Sequence, residues 1–195
     1  MTSKEFEPID PTVSPRFADI ATFMRTRRHD ISPQVDIGLV GVPFDLGVNY
    51  RTGARHGPSG VREGSRVIRR VHPSSGIAPF EICNVADLGD APINPMNKDI
   101  SIAQIQEFFE QLVENKITPI ACGGDHTIPL PILRAIAKDN PVGILHFDAH
   151  ADLRNSYNGQ KFSHASAIRR CLDHKNISLI SFGIRNISES EIPFL

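Results

Sequence analysis

Long apolar runs, paired cysteines, an excess of charge of either sign and internal repeats are all missing from this sequence of 195 residues. Each absence removes a class of function. No segment stays apolar over the roughly 20 residues that a membrane-spanning helix needs, so a membrane partner is not expected. Lys and Arg together number 21 against 22 Asp and Glu, a formal net charge of −1. A chain so balanced has no broad basic field with which to hold nucleic acid. The local run Arg25, Arg27, Arg28, His29 reads as a solvated face or an oligomer contact. The three cysteines, Cys83, Cys122 and Cys171, are odd in number and far apart. They read as reduced thiols in a reducing compartment, not as a disulfide framework. The first twenty residues are acidic and proline-containing, without an apolar signal region. Cytoplasm is therefore the expected compartment, with the mitochondrion as the alternative.

What is present is enough for one globular domain. Hydrophobic residues make up 40% and charged residues 22%, which supports a buried core and argues against whole-chain disorder. Residues 1–34 are rich in proline and polar residues and read as an extended arm, with one short helix in "RFADIATFMR". Residues 35–195 read as a single domain in which strand and helix textures alternate. "VDIGLVGV", "EICNVADLGD" (running into an acidic loop), "ITPIAC", "PVGILHF" and "NISLISFGI" are predicted strands. "PSGVREGSRVIRRV", "ISIAQIQEFFEQLVENK", "TIPLPILRAIAKD" and "HASAIRRCLDH" are predicted helices. Ile102, Ile105, Phe108, Phe109 and Leu112 form one apolar helical stripe. Pro129 and Pro131 are tolerable only in a first helical turn. Such alternation implies an α/β fold with a parallel sheet and helices on both faces, whose ligand site lies beyond the carboxyl ends of the strands.

That rule singles out two segments. "GGDH" follows one predicted strand and "DAHAD" follows another, so His126, Asp148, His150 and Asp152 fall at one edge of the sheet. Asp148, His150 and Asp152 alternate, and point to one side if the strand continues. Imidazoles and carboxylates converging without thiolates suit a divalent ion such as Mn²⁺ better than a structural zinc. A carboxylate between two ions about 3.5–4 Å apart is a known hydrolytic arrangement. Taken singly, "DAHAD" also fits a loop with N-capping aspartates, and the two glycines fit a close backbone approach. His146 lies within the strand and reads as packing or as support for a ligand.

At these residues the sequence resembles the ureohydrolase (arginase and agmatinase) superfamily, and most of all its agmatinase-like branch. The resemblance is carried by "GVPFDLGVNYRTGARHGPSGVREGS", "NVADLGD", "CGGDHTIPLPILRAI", "LHFDAHADLR", "KFSHASAIRR" and "ISFGIR" in that order, from Asp36 to Arg185. It implies an arginase-like three-layer αβα sandwich around a parallel sheet, and a binuclear manganese site. His126 and Asp152 would then hold one ion, His150 the other, and Asp148 would bridge them. Water activated there would attack a guanidinium carbon, releasing urea and an amine. His164, in "SHAS", matches the histidine that carries protons to the leaving amine, though it also fits a plain helix-start residue. A small guanidino substrate and a homo-oligomer are implied as partners. An agmatine-like substrate would yield putrescine and so serve polyamine metabolism.

Two departures qualify the resemblance. The family's downstream motif S-x-D-x-D-x-x-D-P supplies two further metal-binding aspartates, and this sequence does not contain it. Without them about two units of positive charge go uncompensated, which should weaken the second ion. The expectation is thus a chain that lacks the C-terminal part of the fold and, alone, is poorly active: a shortened form, or a pseudoenzyme. Second, Ala165 stands where many agmatinase-like sequences have glycine. This leaves agmatine, guanidinobutyrate and other guanidino acids open. Asn155 is a candidate contact for a substrate tail. A metal-dependent deacetylase of related fold is a weaker alternative, which "KFSHAS" argues against.

Overall fold

The computed structural model describes residues 4–194. Five strands form in the predicted segments: β1 (Ile37–Val42), β2 (Val85–Asp90), β3 (Thr118–Gly123), β4 (Val142–Phe147) and β5 (Ile177–Phe182). The second begins later than predicted, since Glu81 and Ile82 close a short helix opened by Pro79, and it continues through the expected acidic loop to Asp90. All pairings are parallel. The strands form two groups, one in the order β2-β1-β3 and the other β4-β5. The fold is thus α/β with parallel pairing throughout, although the expected single sheet is divided between β3 and β4.

The helices are α1 (Gly57–Gly64), α2 (Pro79–Ile82), α3 (Lys98–Glu114), α4 (Pro129–Ile136) and α5 (Ala167–Leu172). In α3 the Asn97 side chain caps the first turn by accepting the Ile100 N–H at 3.0 Å. Its predicted stripe is buried at Ile102, Ile105, Phe109 and Leu112. Pro129 and Pro131 fall in the first turn of α4, where a missing N–H costs no helical bond.

Two helix predictions need correction. The segment after Pro58 is helical only to Gly64, followed by a 3-10 turn over Ser65–Val67. Glycines at 60 and 64 weaken it, and Val67 and Ile68 stay exposed. In the arm, "RFADIATFMR" forms only a 3-10 turn at Phe23–Arg25, with Met24 and Arg25 at positive φ. Tertiary bonds replace helical ones there. The Phe23 N–H donates to Asp87 at 3.0 Å and the Met24 N–H to Ser65 Oγ at 2.9 Å.

The core lies on one face of the first group. Val40, Val42, Ala86 and Leu88 pack against Ile105, Phe109 and Leu112 of α3 and Ile132 of α4. The other face meets Phe23 of the arm and Phe80 of α2 through Leu39 and Val85. In the second group, Val142, Ile144 and Ile177 pack on Leu130, Ala137 and Cys171. Its reverse face carries Leu145, Phe147, Ile180 and Phe182, all exposed, with Leu145 paired to Ile180 and Phe147 to Phe182.

Candidate metal centre

Parallel pairing puts the carboxyl ends of β3 and β4 on the same side, and the loops that follow meet there. After β3, Gly124 lies against the backbone of Val42 and Phe44, where a Cβ would come within 2.6 Å of the Val42 carbonyl. This close approach lets the Gly124 and Asp125 N–H groups donate to the Val42 and Phe44 carbonyls at 3.1 and 2.7 Å. It sets His126 at the sheet edge. After β4, the Asp148 N–H donates to the Phe182 carbonyl at 3.1 Å, and His150 bridges to Asn186. The extended path then turns at Asp152, whose φ is +52°, an uncommon value for a residue other than glycine.

The side chains converge. His126 Nδ1 lies 2.6 Å from Asp152 Oδ2 and 3.5 Å from Asp148 Oδ2. The same Asp148 oxygen is 3.6 Å from His146 Nε2. The other, Oδ1, is 3.4 Å from His150 Nδ1 and accepts the His150 N–H at 2.8 Å. Asp148 therefore presents one oxygen to each of two imidazole groups. His126 and His146 stack with ring centroids 5.5 Å apart. His146 is buried on the helix-packed face of β4. Its Nδ1 lies 3.1 Å from Ser181 Oγ, while its Nε2 has no hydrogen-bond partner among the described residues.

The electrostatics follow from these contacts. The hydrogen bond to Asp152 holds the His126 pKa above the ordinary histidine value, outweighing its burial. Burial pushes His146 down, and neighbouring His126 adds to this. For Asp148, burial opposes the charged form, but the His150 N–H and the fields of His126 and His146 outweigh it and hold the pKa low. Three groups, His126, His146 and Asp148, offer ligand atoms all within 4.8 Å of one another.

Of the residues predicted from sequence, His126, Asp148, His150, Asp152 and His164 line one cavity of about 350 Å³. His150 faces Asp148 from the more exposed side. Asn155 is not among the lining residues. Its Oδ1 instead accepts from Arg170 at 2.8 Å. The structure adds residues that the sequence reading did not single out for the site. His146, read from sequence as packing or as support for a ligand, joins the group of potential ligands, and the strand pattern alone could not show its orphaned nitrogen. Arg154, Tyr157 and Glu191 also line the cavity. Buried Glu191 accepts the Leu153 N–H at 2.8 Å, one residue after Asp152, and the Ser188 N–H at 2.8 Å. It ties the last turn of the described chain to the ligand loop. Only its distance in sequence hid it. A larger cavity, about 1020 Å³, lies beneath the N-terminal arm, but its buried acid, Asp87, is already paired with Arg62 at 2.9 Å.

His164 opens the turn before α5. Its Nδ1 lies 2.7 Å from the Gly47 carbonyl, which can only accept, so Nδ1 carries the proton. The Tyr157 ring meets it edge-on at 5.8 Å. Ser163 and Ser166 cap this turn reciprocally, which fixes the direction in which His164 leaves the backbone.

Comparison with known proteins agrees with the geometry. The model of the arginase family matches residues 35–195. A guanidinopropionase of Pseudomonas aeruginosa is 40% identical over 189 residues, covering 95% of this chain and 59% of that protein. A mitochondrial agmatinase of Gallus gallus is 40% identical over 164 residues, covering 82% and 48%. The solved structure of a proclavaminate amidino hydrolase from Streptomyces clavuligerus superposes with a TM-score of 0.81 at 33% identity, covering 90% of this chain and 60% of that one. The chain thus spans about half to three fifths of the length of these relatives.

Proposed function

The chain belongs to the arginase family, and from that premise we propose that it takes part in metal-dependent hydrolysis of a linear guanidino compound to urea and an amine. The observation that carries this reading is the placement of Asp148. One oxygen faces His126 and His146, the other faces His150, and Asp152 closes on His126. The donor set fits a divalent ion: oxygen and imidazole nitrogen without thiolate, with the unpartnered Nε2 of buried His146 as a further donor. His126, Asp148, His150 and Asp152 would hold the metal, Mn²⁺ in our reading, with His146 beside them. When bound, such a metal supplies Lewis-acid polarisation and a water activated for attack at neutral pH.

The chain's own groups do the rest. His164 has Nδ1–H committed to the Gly47 carbonyl, so Nε2 is the nitrogen that takes a proton and returns it to the leaving amine. Arg154 lines the same cavity and packs over Tyr157 at 5.1 Å. A guanidinium there favours a substrate with a carboxylate tail over one with a second cation. Guanidinobutyrate and related guanidino acids are therefore the second reading, beside agmatine.

The test is urea release from agmatine, guanidinopropionate and guanidinobutyrate with added Mn²⁺. It uses residues 1–195 and a version extended by the family's S-x-D-x-D-x-x-D-P segment. Residues 1–195 should release urea slowly and the extended chain at least about tenfold faster, in line with two added carboxylates on the ions. Absence of urea from both would refute the reading.

A further inference from the structure

The aspartate of "GGDH" stands beside a candidate ligand, yet its carboxylate faces away from the cluster. Asp125 is buried. Its Oδ2 accepts the Gly47 N–H at 2.8 Å and its Oδ1 accepts the Thr127 N–H at 2.7 Å. Gly47 belongs to the loop after β1, and its carbonyl accepts from His164 Nδ1 at 2.7 Å and from the His164 N–H at 3.4 Å. One peptide unit on either side of a single residue thus joins Asp125 to His164. We infer that Asp125 is a positioning residue: through Gly47 it fixes the ring and tautomer of His164, leaving Nε2 free toward the cavity. This inference rests on the proton-carrying role proposed above for His164.

The chemistry requires such a holder. A neutral imidazole exchanges its proton between two nitrogens, and the partner of one nitrogen decides the state of the other. The Gly47 carbonyl selects the Nδ1–H form only while it stays within hydrogen-bond reach. Within the 44–53 loop, Asp45 accepts the Gly53 N–H at 3.0 Å and pairs with Arg55, which anchors the far end of the loop. The Asp125 carboxylate secures the Gly47 peptide itself, because it accepts the N–H of the same residue whose carbonyl meets His164. Space enforces the arrangement too. A Cβ at Gly47 would collide with Thr127 Oγ1 and come within 3.1 Å of both Asp125 carboxylate oxygens, so glycine alone lets the loop lie this close. Loss of the Asp125 bond frees the loop to move its carbonyl away from His164. It also removes the acceptor of the Thr127 N–H beside His126, so the tautomer of His164 is the readout that isolates the Gly47 link.

The inference is tested by nitrogen-15 NMR of histidine-labelled protein at alkaline pH, with the His164 signals assigned from a His164→Asn variant. The folded wild type should show His164 as the Nδ1–H tautomer. Asp125→Ala and Gly47→Ala should each shift it to a mixture of tautomers. Asp125→Asn, which keeps one acceptor oxygen, should lie between. With Mn²⁺ present, Asp125→Ala should lower kcat for urea release about tenfold with KM little changed. Should Asp125→Ala fail to fold, Asp125→Asn and Gly47→Ala carry the same readout. A folded Asp125 or Gly47 variant with the wild-type tautomer would overturn the inference. A His164→Asn variant with undiminished urea release would overturn the proton-carrying role instead, and leave the tautomer result standing.

Discussion

At the scale of residues, buried charges are what hold the arm and the site in place. Asp87 lies within the core edge, where burial opposes its charged form. The Arg62 guanidinium at 2.9 and 3.1 Å and the N–H groups of Phe23 and Gly89 outweigh this and hold its pKa below the ordinary range. A carboxyl depressed in the folded state gives stability that is complete above its unfolded value, about 4, and is lost as pH falls through the folded value. The Asp87 contribution, read as the difference in denaturant midpoint between wild type and Asp87→Asn, should therefore be constant from neutrality to about pH 5 and shrink below it. Removing the partner is costlier: Arg62→Met should destabilise by about 3 kcal/mol, because it leaves buried Asp87 with only the exposed Arg28 guanidinium at 3.9 Å as counter-ion. A loss under about 1 kcal/mol, the figure for surface pairs, would show that the bridge is solvated.

At the scale of elements, legibility in the sequence followed how far each segment's order depends on itself. α3 was readable because its apolar stripe is periodic, and the strands because they are short runs of β-branched and apolar residues, continuously buried in β1 and β2; both are local properties. The arm and the stretch after Gly64 were not. The arm's backbone is satisfied by Asp87 and Ser65, partners that no window of sequence contains, and after Gly64 the predicted apolar positions Val67 and Ile68 find nothing to pack on. The site divides in the same way. His126, Asp148, His150, Asp152 and His164 stand in short motifs at strand or helix ends. Arg154, Tyr157 and Glu191 enter through loop geometry, and Asn155 leaves through it. Glu191 gives a prediction at this scale. Glu191→Gln removes one strong acceptor from the turn that braces Leu153. Limited proteolysis should then cut within 186–194 several times faster, with overall stability changed by no more than about 1–2 kcal/mol. Unchanged cleavage would assign the turn's order to its apolar contacts.

At the scale of the whole molecule, the two strand groups leave an apolar surface. Among the described residues, the reverse face of β4-β5 exposes Leu145, Phe147, Ile180 and Phe182, with Phe147 75% exposed, and Ile120 on β3 is exposed as well. Patches of this kind drive association. Self-association in sedimentation should weaken when Phe147 and Phe182 are both replaced by lysine, with the parallel pairing of β4 and β5 left intact. An unchanged sedimentation profile would place association elsewhere. Among the described residues no helix is long and apolar enough to cross a membrane.

The central claim is that the loops after β3 and β4 together form a divalent metal site organised by Asp148. Titration of Mn²⁺ into residues 1–195, followed by the electron paramagnetic resonance signal of the free ion, tests it most directly. Binding should be saturable, weaken at least about tenfold in Asp148→Asn and be unaffected in Asp173→Asn, a carboxylate at the end of α5 paired with Arg169 and Arg170. Equal affinity in all three proteins would contradict it.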